Sequence, residues 1–232
     1  MASLDEPLPR FDGVARIYRA GEYLSFGPLL ERCRFFHLPR LHTARRALVL
    51  GDGDGRFTAR LLAGHRAMRA DAVDLSRTML RLLRQRVAGC GALDRLTTTC
   101  ADARSFTPAA SGYDLVATHF FLDCLSPAEA AQLIARVRPA LAPGAVWLVS
   151  EFAVPQRGPV RRLLARSLIA SLYAAFRVLT GLRVRQIPPW RDLLAHAGFT
   201  PVAFHAGLGG LLVSELWQLR QTTASAPAHS HG

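Results

Sequence analysis

The chain reads as an α/β protein, a parallel sheet with helices packed on both faces, and three observations predict it. From residue 45 onward, β-prone apolar runs alternate with helical stretches of about 10–15 residues, the pattern of successive βαβ units. Chemistry-bearing residues fall just after those runs: Gly51 to Gly55, Asp74, Asp102 and His119. Such sheets gather ligands at the carboxyl ends of their strands. The length of 232 residues, half of them hydrophobic and a fifth charged, suits one domain with a sizeable core.

The elements follow in order. Residues 11–38 have helical periodicity broken at Gly21, Gly27 and Pro28, which predicts two short helices ahead of the main fold. "RALVLG" is the first strand and "RFTARLLAGH" the helix after it. "MRADAVDLS" is the second strand, and "SRTMLRLLRQRVAG" a helix capped by Ser76 and closed by Gly89. "RLTTTCAD" and "YDLVATHFF" are the third and fourth strands. "SPAEAAQLIARVRPAL" carries a strong helix start, with Ser126 as cap, Pro127 at the first turn and Glu129 in it. "GAVWLVSEF" is the fifth strand, and "FTPVAFHAG" with "LLVSELWQLR" forms a closing antiparallel hairpin. Before that hairpin an insertion of about 157–197 carries apolar residues at 160, 164, 168, 172, 176 and 179, one apolar face of a helix. The expected organisation is therefore a helical cap over 1–44, a main domain over 45–220 and a disordered polar tail over 221–232.

Composition narrows the function classes. The formal net charge is +12, and all 29 basic residues are arginine. A chain without lysine reads as a soluble basic surface before it reads as a binding patch, and no aromatic-interleaved basic motif points to nucleic acid. An acidic partner such as lipid head groups stays open. Four scattered cysteines without a CxxC pair predict free thiols in a reducing cytoplasm. "MASLDEPLPR" is no secretory signal, and the apolar run 167–176 is too short to span a bilayer. The expectation is a cytoplasmic protein, soluble or resting peripherally on an anionic membrane, with its oligomeric state open. His229 and His231 are too few to argue for a metal.

The glycine turn "GDGDG" raises the question of what it holds. Asp52 and Asp54 would stand within a few ångströms of a pyrophosphate, at a cost of several kcal/mol at an effective dielectric of about 20. Phosphate is disfavoured. An EF-hand is excluded too: counted from Asp52, the sixth position is Phe57 and the twelfth Ala63, where glycine and glutamate belong. A nucleoside with an amino-acid tail fits better. The glycines admit close approach, and the following helix start attracts a carboxylate. A loop aspartate accepts from an ammonium group. Asp74, 19 residues after Gly55, stands where an acidic residue meets ribose hydroxyls. Asp102 is placed to accept from the exocyclic amine of adenine. That ligand is S-adenosylmethionine.

The stretches "VLGDGDG" (49–55), "AVDLSRTML" (72–80), "CADA" (100–103), "YDLVATHFFLDCL" (113–125) and "LAPGAVWLVSEF" (141–152) carry a resemblance. Together they resemble the core of the class I S-adenosylmethionine-dependent methyltransferases, nearest the small-molecule branch that includes quinone-biosynthesis enzymes. The resemblance implies a Rossmann-like three-layer α/β/α sandwich with a mostly parallel seven-stranded sheet and an antiparallel last strand. It implies Gly51, Gly53 and Gly55 along the methionine moiety and Asp74 on the ribose. Leu75 and Met79 would flank the adenosine, Asp102 and Ala103 the adenine, and His119 the sulfonium. One position departs: Val49 stands where the family usually has an acid, which passes the ammonium contact to Asp52 or Asp54.

The methyl donor is already activated, so such a site mainly aligns acceptor, methyl and sulfur and excludes water. Where the acceptor must lose a proton, His119 and Asp123 are the candidate bases. Tyr18 and Tyr23 from the N-terminal segment, with Phe120 and Phe121, are candidate walls of the acceptor pocket. The expected function is methylation of oxygen, carbon or nitrogen on a small, fairly apolar or lipid-like acceptor. Two alternatives stay open: a cofactor-binding regulatory or scaffold module without turnover, and a nucleic-acid methyltransferase. Against the latter, "THFF" stands where base methyltransferases carry an "NPPY"-type loop.

Overall fold

A computed structural model describes residues 28–109, 111–155, 158, 162–163, 165–167, 169, 171 and 187–220. Tyr18, Tyr23, the tail over 221–232 and the apolar series 160–179 lie outside the described residues.

Seven strands form one sheet: β1 (Arg46–Leu50), β2 (Arg69–Asp74), β3 (Leu96–Cys100), β4 (Tyr113–His119), β5 (Leu141–Phe152), β6 (Phe199–Gly207) and β7 (Leu212–Leu219). Their order is β3-β2-β1-β4-β5-β7-β6. Neighbours pair in parallel except β7, which runs antiparallel to both β5 and β6. The strand order reverses between β1 and β4, which opens a crevice at their carboxyl ends. The expected sheet, with its single antiparallel strand, is the one observed.

Burial on both faces explains why the central strands are continuously apolar. Along β1, Ala47 and Val49 enter one core while Leu48 and Leu50 enter the other. The first core is closed by Phe57, Leu61 and Leu62 of α2 (Arg56–Gly64) and by Leu83 and Val87 of α3 (Arg77–Gly89). The second is closed by Ala130, Leu133, Ile134 and Val137 of α4 (Pro127–Val137) and by Trp190 and Leu194 of α5 (Trp190–His196). A helix over 28–35 (α1) precedes the sheet and packs Leu30 and Cys33 against Phe120 and Leu212.

The predicted helix starts are built as their sequences require. Ser76 Oγ accepts from the Met79 amide at 3.2 Å. Ser126 Oγ accepts from Glu129 N at 3.3 Å while Glu129 Oε2 accepts from Ser126 N at 2.7 Å, a complete capping box worth about 1 kcal/mol. Within the insertion, Ala165 and Ile169 are buried against Leu211, while Arg162, Leu163 and Arg166 face outward. Among the described residues no helix is long and apolar enough to cross a membrane.

Candidate active site

The turn after β1 needs its three glycines for two different reasons. Gly51, Gly53 and Gly55 all have φ between +60° and +80°, a region costly for residues with a β-carbon. A β-carbon on Gly51 would also lie 2.2 Å from the Phe121 ring, and one on Gly55 2.7 Å from the Leu83 Cα. One on Gly53 would meet nothing within 4 Å. Gly51 and Gly55 are thus glycines for the protein's own packing, and Gly53 alone turns an open backbone face to the crevice.

The two loop aspartates are held by the protein. Asp52 caps α2: its Oδ2 accepts from Thr58 N at 2.8 Å and Thr58 Oγ1 at 2.7 Å, and its Oδ1 from Phe57 N at 3.4 Å. Burial pushes its carboxyl up to about 6, against the opposing effect of the Thr58 bonds and the Arg34 charge. Asp54, 8% exposed, meets Arg86 Nη2 at 2.8 Å and Arg56 Nε at 3.3 Å. Arg56 continues to Glu31 of α1 at 2.5 Å, so an ion-pair chain runs from the turn to α1.

At the end of β2, Asp74 Oδ2 accepts from Gly53 N at 3.2 Å and Oδ1 from Ser76 N at 2.8 Å. The half-buried carboxylate therefore fixes the open glycine. Leu75 and Met79 beside it are half-buried. Asp102, after β3, turns to its own neighbour: its oxygens accept from Arg104 N, Nε and Nη2 at 2.7–3.1 Å. Burial raises its carboxyl, but the Arg104 bonds outweigh that and hold it below the usual range. The adenine contact expected of Asp102 thus meets a carboxylate already committed to Arg104. Ala103 is buried.

His119 ends β4 and is 4% exposed. Its Nδ1 lies 2.9 Å from Ser150 Oγ, its ring 4.2 Å from that of Phe57, and its Nε2 is buried without a hydrogen-bond partner. Burial, reinforced by the Arg34 charge, holds the imidazole neutral well below its ordinary value. Phe120 has φ +52° and packs near Phe152 under the Arg34 guanidinium, while Phe121 lies over Gly51. The structure thus gathers the glycine turn, Asp74, His119, Phe120 and Phe121 at the carboxyl ends of β1, β2 and β4.

Sequence reasoning missed Glu151, at the end of β5 and fully buried. Its Oε1 accepts from Phe121 N at 3.0 Å and Leu122 N at 2.8 Å, anchoring the turn that carries both phenylalanines. Its Oε2 is buried without a partner. Burial, with the Asp123 charge beside it, pushes its carboxyl well above the usual range. Asp123 itself is buried, and its Oδ1 lies 3.5 Å from Cys124 Sγ. The signal for Glu151 was available: positions 147 and 149 of β5 are core, and period-two alternation carries 151 onto the same face.

These residues fit a nucleoside better than a phosphate. Three carboxylates crowd the turn, and the β-position of Gly53 leaves room for a close ligand. The comparisons agree. Residues 47–144 match the family model described as a methyltransferase domain. No curated protein sequence matches the chain. Among solved structures, the S-adenosylmethionine-dependent methyltransferase SibL aligns with a TM-score of 0.65 at 24% identity, over 93% of this chain and 63% of its own. The N,N-8-amino-8-demethyl-D-riboflavin dimethyltransferase RosA from Streptomyces davawensis gives 0.64 at 21%, over 93% and 63%. The mitomycin 7-O-methyltransferase MmcR gives 0.65 at 15%, over 90% and 60%. This chain spans about three-fifths of the length of those three proteins, and their likeness is one of fold. Over residues 47–144 the chain is thus similar to a methyltransferase domain, and over most of its length it shares the fold of those enzymes.

Proposed function

We propose that the protein transfers a methyl group from S-adenosylmethionine to a small, fairly apolar acceptor. The observation that carries this reading is the pairing of Gly53 and Asp74. The glycine of the turn whose β-position meets no atom is tied to the carboxylate that ends β2. When bound, the cofactor supplies an activated methyl on a positively charged sulfur.

The chain's own residues hold, orient and exclude. Gly51 and Gly53 would border the methionine moiety, Asp74 would take the ribose hydroxyls, and Leu75 and Met79 would pack on the adenosine. The backbone at Ala103 would border the adenine. Of the two loop acids, Asp52 is the one for the cofactor ammonium, since Asp54 already serves two arginines. Phe120 and Phe121 form an apolar wall that keeps water from the transfer point. His119 and Asp123 are the groups near it that can receive a proton. The outward Arg162 and Arg166 support a lipid-like acceptor delivered from an anionic surface, which salt-sensitive flotation with liposomes tests.

Calorimetric titration with S-adenosylmethionine tests the reading directly. The wild type should bind, and Asp74→Asn should weaken binding at least about tenfold, or ~1.4 kcal/mol. Equal heats would remove Asp74 from the site, and a wild type without heat would remove the cofactor. Labelled cofactor offered with phenols, quinols and amines then reads turnover: a labelled product establishes an enzyme, and binding without product establishes a regulatory module.

A further inference from the structure

The turn after β3 is built around Asp102. Ser105 N and Phe106 N both donate to Asp102 O, at 3.1 and 2.9 Å, which folds the chain back on itself over residues 102–106. From α4, Arg136 Nε donates to Phe106 O at 3.1 Å, and its Nη2 donates to Arg104 O. Ala101 N donates to Asp74 O at 3.1 Å, so the turn stands beside the carboxyl end of β2. The backbone that carries Asp102 and Arg104 is thus clamped next to the carboxylate assigned to the ribose.

Within that turn Arg104 takes up the Asp102 carboxylate. Oδ1 accepts from Arg104 N at 2.9 Å and from Arg104 Nε at 3.1 Å. Oδ2 accepts from Nε at 2.9 Å and has Nη2 at 2.7 Å. A carboxylate has about four acceptor positions, and each Asp102 oxygen already faces two nitrogens. The roles cannot be exchanged, because a guanidinium only donates and an ionised carboxylate only accepts. Burial works against ionisation of Asp102, but the Arg104 bonds outweigh it and hold the carboxyl below its usual range. A purine 6-amino group is a neutral donor, and charge-assisted bonds are about twice as strong as neutral ones. Displacing Arg104 would also draw its Nη1 away from Glu129 of α4, 3.6 Å off. The side chains of Asp102 and Arg104 are 23% and 39% exposed, so the grip comes from forked geometry and two acids rather than from deep burial.

We propose that Arg104 is a specificity-determining residue: by filling the acceptor positions of Asp102, it leaves the base subsite unable to read the purine 6-amino group. The inference rests on the methyltransferase reading and narrows how that site selects its cofactor. A site that reserves an acceptor for a donor group rejects a ligand lacking that group, because the acceptor is then left unmet. Here Arg104 meets the acceptor whichever base is bound. Selection falls to the ribose and the amino-acid tail, at Asp74 and the glycine turn, and the base is tolerated with or without its amine.

Calorimetry of the full chain reads this without turnover, using S-adenosylhomocysteine and its 6-deamino analogue, in which hydrogen replaces the amine of the purine. In the wild type the two Kd values should agree within about threefold. Arg104→Ala frees Asp102, and the amino form should then bind about tenfold more tightly than the deamino form. In Arg104→Ala/Asp102→Ala that preference should vanish again. If Arg104→Ala fails to fold, Arg104→Met, which keeps an apolar stem, carries the same comparison. A wild-type preference of about tenfold or more for the amino form overturns the proposal, as does an unchanged ratio in the Arg104 variant. A wild type that binds neither compound overturns the methyltransferase reading and this proposal with it.

Discussion

Leu83 Cα lies 2.7 Å from where a β-carbon on Gly55 would stand, so α3 and the glycine turn meet backbone to backbone. Gly55→Ala has no flexible side chain to push aside and must also hold φ +80°. It should destabilise the fold by roughly 2–4 kcal/mol in urea denaturation, combining left-handed strain with overpacking. Gly53→Ala meets no atom and should cost only about 1 kcal/mol from strain. Its effect should appear in calorimetry, as cofactor affinity reduced at least about tenfold by a methyl in the open crevice.

The Asp54 clamp predicts an asymmetry between partners. Asp54 is nearly buried between two guanidinium groups, whereas the Arg86 side chain is 41% exposed. Asp54→Asn should cost about 1–3 kcal/mol, because Arg86 and Arg56 each lose a carboxylate contact in a partly dry site. Arg86→Ala should cost about 1 kcal/mol or less, since solvent screens it. Denaturation of both single variants and the double variant reads this as a mutant cycle, and a larger loss from Arg86→Ala would refute it.

Asp52 should make stability and cofactor binding respond oppositely to pH. Its folded pKa of about 6 stands above the ordinary 3.8, so the folded state holds a proton that the unfolded chain releases. Its contribution to stability is full below about 4 and lost as pH rises through 6, at about 1.4 kcal/mol per pH unit in that window. Asp52→Asn should flatten the slope between pH 4 and 6. Ionised Asp52 is also the form that holds an ammonium, so cofactor Kd in the wild type should fall from pH 5 to 7. In Asp52→Asn, Kd should stay flat.

Burial and the Asp123 charge push the Glu151 carboxyl well above its usual range, which favours the neutral form that an amide mimics. Glu151→Gln keeps an acceptor oxygen for the Phe121 and Leu122 amides and should cost about 1 kcal/mol or less. Glu151→Ala leaves two buried N–H groups unmet and a cavity besides, and should cost about 3–5 kcal/mol. It should also raise the acceptor KM, because Phe121 loses its anchor. Equal losses from the two variants would show that Glu151 acts as an anion.

The sheet was legible because each central strand is apolar on both faces and the starts of α3 and α4 carry their own caps. Ser76 and Ser126 act on amides three residues away, so sequence spacing alone locates them. The site was legible only as positions. That Asp54 serves Arg86 depends on α3 folding back across 32 residues, which no local pattern encodes. Asp102 and Arg104 are two apart, yet their pairing depends on how the chain turns after β3. His119 reads as a near-neutral base in sequence, and becomes a buried neutral ring only once α1 and α2 cover it. Glu151 follows Trp147 and Val149 on one face of β5, yet the amides it anchors belong to a turn about 30 residues earlier, which no local pattern encodes.

The direction of β7 has a practical consequence. Every other strand delivers its carboxyl end to the ligand crevice, but β7 starts there, at Leu212 opposite Phe152, and finishes at Leu219 opposite Phe199. The chain leaves the sheet on the side away from the active centre, with Arg220 N bonded to Gly198 O. A fluorophore, affinity handle or surface tether joined at residue 220 would therefore stand at the end of the sheet remote from the crevice and leave it clear. One joined at residue 28 would instead meet α1, the helix that packs Cys33 and Arg34 against Phe120.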